Sequence, residues 1–353
     1  MGPSGPCPQL ADTESGLDGT PHIATRPLID AFGRRIHYLR LSVTDRCDLR
    51  CRYCMKARPD FLPKSEVLTL EELEQVALAF IARGVTKIRV TGGEPLVRRD
   101  VMTLIERLGT RIGSGLDELC LTTNATRLAE FTPRLAGAGV KRINVSLDTL
   151  DAGTYRALTR GGDLERTMEG IAAAKAAGLK IKINAVALKD TNAASLPGLI
   201  EWAHGEGHDV TLIEVMPMGE VEANRFDQFL PLDAVRRDLE ARWTLTDLPD
   251  ATGGPARYVR VAETGGRLGF ITPLTSNFCA GCNRVRVTCT GELNACLGRD
   301  GSFDLKAALR SGGLAALDAL LDDTMAAKPE AHDFRIGKTG SSGASRDMAR
   351  TGG

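Results

Sequence analysis

The sequence contains no apolar run approaching the ~18 residues that a helix needs to cross a bilayer, so it offers no membrane span. Charge of neither sign dominates, since 45 Lys plus Arg stand against 45 Asp plus Glu. That balance argues against a protein that coats nucleic acid or an anionic membrane, and it leaves room for a local basic pocket around one small anion. Residues 1–25 are rich in Gly, Pro, Ser and Asp, with neither a basic start nor a hydrophobic stretch. They read as a disordered leader and not as a secretory signal, which makes the cytosol the expected compartment. Standard nucleotide and metalloprotease motifs are missing too. Gly337-Lys338-Thr339 has His332 where a phosphate loop needs its first glycine, and no H-E-x-x-H occurs.

What is present is an alternation of short β-branched segments with helix-period stretches. Strand patterns fall at 37–43, 87–91, 118–122, 142–147, 180–188 and 210–216, and helix patterns at 70–83, 101–108, 130–138, 164–177 and 195–204. Thr69 and Asp100 read as N-caps, and Gly84, Gly139 and Gly178 close helices. The expected fold is α/β: an incomplete (β/α) barrel of about six parallel strands over residues 26–217. A smaller C-terminal region, 218–327, follows, with a helix at 232–242, short strands at 257–261 and 269–272, a cysteine-rich loop at 277–297 and two more helices. Residues 328–353 form a Gly-rich tail ending in Gly352-Gly353.

Nine cysteines are too many, and too clustered, for chance in a chain expected in a reducing compartment. Cys47, Cys51 and Cys54 follow the first strand as C-x3-C-x2-C. Three soft thiolates without a nearby fourth ligand suit an iron–sulfur cluster with one open iron better than structural zinc. Cys279, Cys282 and Cys296 form a second set, C-x2-C-x13-C. Here Cys289 could complete a four-thiolate zinc site, or could be a small buried apolar residue. Between them, Asn283-Arg284-Val285-Arg286 puts two guanidiniums on one face of an extended segment, the geometry that forked phosphate recognition uses. Thr91-Gly92-Gly93-Glu94-Pro95 follows the second strand; by itself such a pair is only a turn.

Cys47-x3-Cys51-x-Tyr53-Cys54 after a strand resembles the signature of the radical S-adenosylmethionine (SAM) superfamily. The resemblance implies a [4Fe–4S] cluster on these three cysteines, SAM chelating its open iron, and a 5′-deoxyadenosyl radical as the reactive species. It also implies SAM contacts at Tyr53, Gly93, Ser146 and Met216. With the second cysteine set, the N-R-x-R between its members and the terminal Gly-Gly, the chain from about Leu28 onward resembles the GTP 3′,8-cyclase family of molybdenum cofactor biosynthesis. That resemblance implies a second [4Fe–4S] cluster on Cys279, Cys282 and Cys296 that binds the guanine base. It implies GTP contacts at Arg40, Arg89, Thr122, Lys182, Arg284 and Arg286, with Gly352 and Gly353 in the active site. The implied chemistry joins ribose C3′ to guanine C8, for onward conversion by cyclic pyranopterin monophosphate synthase, in a homodimer with no nucleic-acid or membrane partner. The competing readings are another two-cluster radical SAM enzyme, such as a peptide maturase, and a non-catalytic zinc protein. Two departures from the family pattern stand out: Ala125 occupies a glycine position, and Cys289 is an additional thiol.

Overall fold

The computed structural model describes residues 26–219, 227–249, 254–276, 278–334, 346 and 348–352. The expected leader and Gly353 lie outside the described residues. The strands are β1 Tyr38–Ser42, β2 Lys87–Thr91, β3 Glu118–Thr123, β4 Arg142–Ser146, β5 Lys180–Ala187, β6 Asp209–Glu214, β7 Leu245–Leu248, β8 Arg257–Val261, β9 Arg267–Ile271, β10 Arg284–Val287, β11 Glu292–Asn294 and β12 Phe303–Asp304. The helices are α1 Leu70–Ala82, α2 Val101–Gly109, α3 Leu128–Gly137, α4 Ala152–Thr159, α5 Leu164–Ala176, α6 Leu196–Gly205, α7 Leu232–Glu240, α8 Leu305–Ala326 and α9 Met348–Thr351.

All twelve strands join one open sheet in the order β12-β11-β10-β1-β2-β3-β4-β5-β6-β9-β8-β7. The six expected strands run parallel in its middle. The C-terminal region extends the same sheet at both edges: β10 pairs parallel with β1 and β9 pairs parallel with β6. Antiparallel strands then cap each side. The cysteine-rich loop thus contains two strands, β10 and β11. Their short apolar runs are masked by arginines and polar residues in the sequence pattern.

Strands of a parallel sheet covered on both faces normally read as continuous apolar runs. These alternate instead. Leu39, Leu41, Ile88, Val90, Ile143, Val145, Ile181 and Ile183 are buried against the helices. The intervening residues Tyr38, Arg40, Arg89, Asn144, Lys182 and Asn184 line a cavity on the concave side. The barrel interior is therefore a polar lumen and not a packed core.

Local signals mostly do what their chemistry requires. Thr69 forms a full capping box with Glu72 at the start of α1. Asp100 stands at the N-cap of α2 but is left-handed (φ 57°) and makes no side-chain cap bond. The two helices expected after 305 run on as α8, kinked where Gly313 takes φ 63°. Buried Arg83 ties α8 to α1 through Asp318 (2.7 Å) and Asp322.

Ala125 does adopt a left-handed backbone, φ 64°, and is fully buried. Its carbonyl presses on Gly170 of α5, where an added Cβ would lie 2.2 Å from Ala125 O. A left-handed alanine costs about 1 kcal/mol relative to glycine, while its buried methyl returns roughly 0.8 kcal/mol. The two nearly cancel, which explains why alanine is tolerated there. Ala125→Gly should therefore leave denaturant stability within about 0.5 kcal/mol of the unaltered chain. Gly170→Ala should lose about 2 kcal/mol or more despite alanine's better helix propensity. Equal stability for Gly170→Ala in urea titrations would contradict this packing.

Candidate active site: two thiol loops flanking a basic lumen

Strand direction fixes where the two cysteine sets sit. Cys47, Cys51 and Cys54 follow β1 and so lie at the C-terminal ends of the parallel strands. Cys279 and Cys282 precede β10, which runs parallel to β1, and Cys296 follows the antiparallel β11. The second set therefore gathers at the opposite end of the lumen. Cys289 lies beyond the far end of β10, a strand's length from Cys282. It is fully buried near Asp45 and Arg98, and burial pushes its thiol up to about 12. It cannot complete a four-thiolate zinc site with the other three.

The glycine motif braces the first loop. Gly93 N donates to Thr44 O and Glu94 N to Arg46 O, both at 2.8 Å. A Cβ on Gly93 would sit 2.4 Å from Arg46 O, so glycine is required by close chain approach just before Cys47. Buried Glu94 accepts from Leu96 N (2.9 Å), Thr123 Oγ1 (2.9 Å) and Asn124 N (2.7 Å), stitching β2 to β3. Burial nonetheless raises its carboxyl to about 7. Asn124 Nδ2 reaches Asp48 Oδ1 at 2.7 Å and Cys47 Sγ at 3.8 Å. Tyr53 donates to Asp148 Oδ2 at 2.8 Å, and Asp148, held also by Val186 N, is pushed up to about 6 by burial. Ser146 ends β4 opposite Asn184.

Burial raises the thiols of Cys47 and Cys51 well above their ordinary values, and the neighbouring cysteines and carboxylates raise them further. The three thiols are half-buried and act on one another, so a cation placed among them favours their thiolate forms. An iron–sulfur cluster supplies that charge, so the residues fit it. The three cysteines of the second set all line the lumen cavity. Burial raises Cys279, whereas Cys282, although burial pushes it up, ends below its ordinary value because Arg284 and Lys328 act on it.

Between the two ends lies the basic lumen. Strand register puts Arg286, Arg40 and Arg89 side by side across β10, β1 and β2. Burial lowers Arg40 to about 10, and Arg89 and Arg284 push the same way. Arg286 is driven down by burial, then by Arg40 and Arg284. With its amide oxygen turned toward Arg89, Asn144 accepts at 2.8 and 3.1 Å. Lys182 Nζ donates to Tyr258 OH at 2.7 Å. The buried Thr122 hydroxyl and the Asn184 amide oxygen find no partner among the described residues. Met216 lines the cavity, and Gly352 O accepts from Arg286 Nη1 at 2.9 Å. A Cβ on Gly352 would lie 2.2 Å from Thr91 Cγ2, so the tail fits its slot only as glycine.

Residues 41–203 match the radical SAM superfamily model, and residues 208–334 match the molybdenum cofactor synthesis C model. A GTP 3′,8-cyclase of Erythrobacter litoralis is 65% identical over 94% of this chain and 100% of its own length. Those of Rhizobium etli and Caulobacter vibrioides are 59% and 60% identical, covering 93% and 92% of this chain and 94% of each relative. The chain belongs to the GTP 3′,8-cyclase family, within the radical SAM superfamily. Among solved structures, Streptococcus suis SuiB bound to S-adenosylmethionine superposes with a TM-score of 0.55 at 17% identity, over 79% of this chain and 65% of that one. A second SuiB structure gives 0.57 at 15% identity, over 81% and 67%. At that identity the likeness concerns the fold, an unclosed α/β barrel. Membership of the superfamily brings SAM and an iron–sulfur cluster to this family's chemistry. No helix among the described residues is long and apolar enough to cross a membrane.

Sequence reading missed Glu94, Asp48, Asn124 and Asp148 as supports of the first loop, although each lies within or beside a motif already singled out. It also missed Tyr258, Arg34 and Lys328, which no local pattern marks. Gly93→Ala should yield protein with less bound iron than the unaltered chain, because its Cβ collides with the backbone leading into Cys47. Gly281→Ala is the control, since a Cβ there meets nothing within 4 Å. Equal iron in both variants would remove the bracing role assigned to Gly93.

Proposed function

We propose that this chain is a GTP 3′,8-cyclase, converting GTP to (8S)-3′,8-cyclo-7,8-dihydroguanosine 5′-triphosphate in the first step of molybdenum cofactor biosynthesis. The observation that carries the reading is the row Arg286–Arg40–Arg89, with Arg286 and Arg40 buried and Arg89 half-buried, joined by Arg284 and Lys182 and opening onto the second thiol set. Like charges buried together are costly unless an anion shares their space. A triphosphate supplies several negative oxygens in forked geometry, which guanidiniums bind bidentately.

In this reading Cys47, Cys51 and Cys54 hold one [4Fe–4S] cluster, and Cys279, Cys282 and Cys296 hold a second. Tyr53, Gly93, Ser146 and Met216 contact SAM. Arg40, Arg89, Thr122, Lys182, Arg284 and Arg286 contact GTP, and Gly352 with Gly353 closes the site from the tail. The orphaned Thr122 hydroxyl supports this assignment, since a buried donor without a protein partner is satisfied by a ligand. The matched segments 41–203 and 208–334 support a division into a core at 26–217, a cluster-binding region at 218–327 and a tail at 328–353.

With cluster and SAM bound, the site would be supplied with a carbon-centred radical able to take hydrogen from ribose C3′. The chain's own work is positional. Arg40, Arg89, Arg284 and Arg286 fix the triphosphate, and Lys182 is held by Tyr258 rather than left mobile. The Gly352 tail, seated against Thr91 and bonded to Arg286, keeps water and stray hydrogen donors from the reacting carbons. The product passes to cyclic pyranopterin monophosphate synthase. We assign the enzyme to the cytoplasm and to a homodimer.

The decisive test is anaerobic incubation of the reconstituted chain with SAM, dithionite and GTP, following 5′-deoxyadenosine and acid-converted pterin. Pterin formation dependent on GTP is expected; deoxyadenosine without pterin would move the substrate elsewhere, towards the peptide-modifying alternative. Arg286→Met should weaken GTP binding by about 10- to 150-fold, the loss of one charge-assisted contact of about 1.5–3 kcal/mol. Unchanged GTP affinity in equilibrium dialysis would remove Arg286 from the triphosphate site.

A further inference from the structure

The two thiol sets sit in electrostatic surroundings of opposite sign. The charged groups acting on the thiols of Cys47 and Cys51 include the carboxylates Glu94, Asp48 and Asp148. Asp48 Oδ1 lies 3.8 Å from Cys47 Sγ. Arg50 and Arg160 also reach this loop, but they bind its main-chain carbonyls, including those of Cys47 and Met55.

At the other end the neighbours are cations. Arg284 acts on Cys282, whereas Arg34, which donates to Cys279 O at 2.8 Å, is neutralised by buried Asp30 at 2.6 Å. Lys328 is the most directly placed. Its Nζ donates to Ala295 O at 2.6 Å and lies 3.6 Å from Cys282 Sγ. It therefore touches one cysteine of the set and the residue preceding another, Cys296. The side chain is 2% exposed, and Lys328 N bonds Met325 O at 3.3 Å in the turn that closes α8. A lysine so buried is expensive unless a negative group shares its space. The carbonyl accepts one hydrogen bond but carries no net charge, which leaves a thiolate-ligated cluster as the counter-charge.

A hydrogen bond or a cation at a ligating sulfur stabilises the reduced, more negative state of an iron–sulfur cluster, and a nearby carboxylate opposes it. We propose that Lys328 sets the potential of the second cluster, holding it above that of the first. This rests on the two-cluster reading given above. Lys328 acts through the Cys282 sulfur, with Arg284 adding to the same field, while Asp48 beside Cys47 acts in the opposite sense on the first cluster.

The test is an anaerobic redox titration of the reconstituted full chain, followed by electron paramagnetic resonance, with iron and sulfide counted on the same samples. SAM added to a parallel sample marks the first cluster, whose signal it changes. About eight irons are expected, with the SAM-insensitive cluster reduced at the higher potential. Lys328→Met should move that step to lower potential and leave the SAM-sensitive step in place, and Lys328→Arg should restore it. Lys328→Gln, which keeps an N–H donor without the charge, should shift as the Met variant does. Unshifted potentials in both neutral variants at full iron content, or a reversed order of the two steps in the unaltered chain, would overturn the proposal. Loss of about half the iron from both neutral variants would make Lys328 a structural anchor and equally overturn it. About four irons in the unaltered chain would overturn the two-cluster reading itself, and the inference with it.

Discussion

A row of guanidiniums set side by side in the lumen, two of them buried, is the constraint around which this molecule is arranged. Arg286, Arg40 and Arg89 occupy one layer of the lumen because parallel pairing aligns them, residue against residue, across three strands. Their mutual repulsion works against folding, so the layers behind them must supply the stability. They do so with a continuous apolar sheath, from Leu39 and Leu41 through Ile88 and Val90 to Ile183, packed under the helices. The strands alternate because one face packs under the helices and the other lines the polar lumen.

The same parallel order separates two kinds of chemistry. Residues that follow a strand gather at one end of the lumen, and residues that precede one gather at the other. The first thiol loop and the glycine motif belong to the former, and Cys279 and Cys282 to the latter. The space between them is bounded by side chains from both halves of the chain: Lys182 from β5 is held by Tyr258 from β8. The C-terminal region is thus less an appendage than the two outer edges of the barrel.

Supports around the first loop illustrate how buried polar groups specify geometry. Glu94, Asn124, Asp48 and Thr126 form a connected set in which one carboxylate accepts twice from the end of β3 and another from two side chains. Each is satisfied by a partner that exists only in this arrangement of β1, β2 and β3. Such networks fix the position of a loop more narrowly than apolar packing does.

Much was determined by the sequence alone. Periodicity located the six central strands and most helices, because a two-residue period with β-branched outward positions leaves little else to form. Thiol spacing, with the arginine pair and the terminal glycines, was specific enough to point to the family. Other features had to await the tertiary structure, since each depends on residues distant in the chain. Spacing left Cys289 open as a fourth ligand or a small buried residue, and strand direction carries it, fully buried, to the other end. Gly93, which the family resemblance assigns to SAM, also stands where two stretches of backbone meet. Lys328 and Tyr258 stand in no motif at all; only the folding of α8 and of the β8–β9 hairpin against the lumen brings them to Cys282 and Lys182. Local pattern encodes which face a residue takes, and long-range packing decides what that face meets.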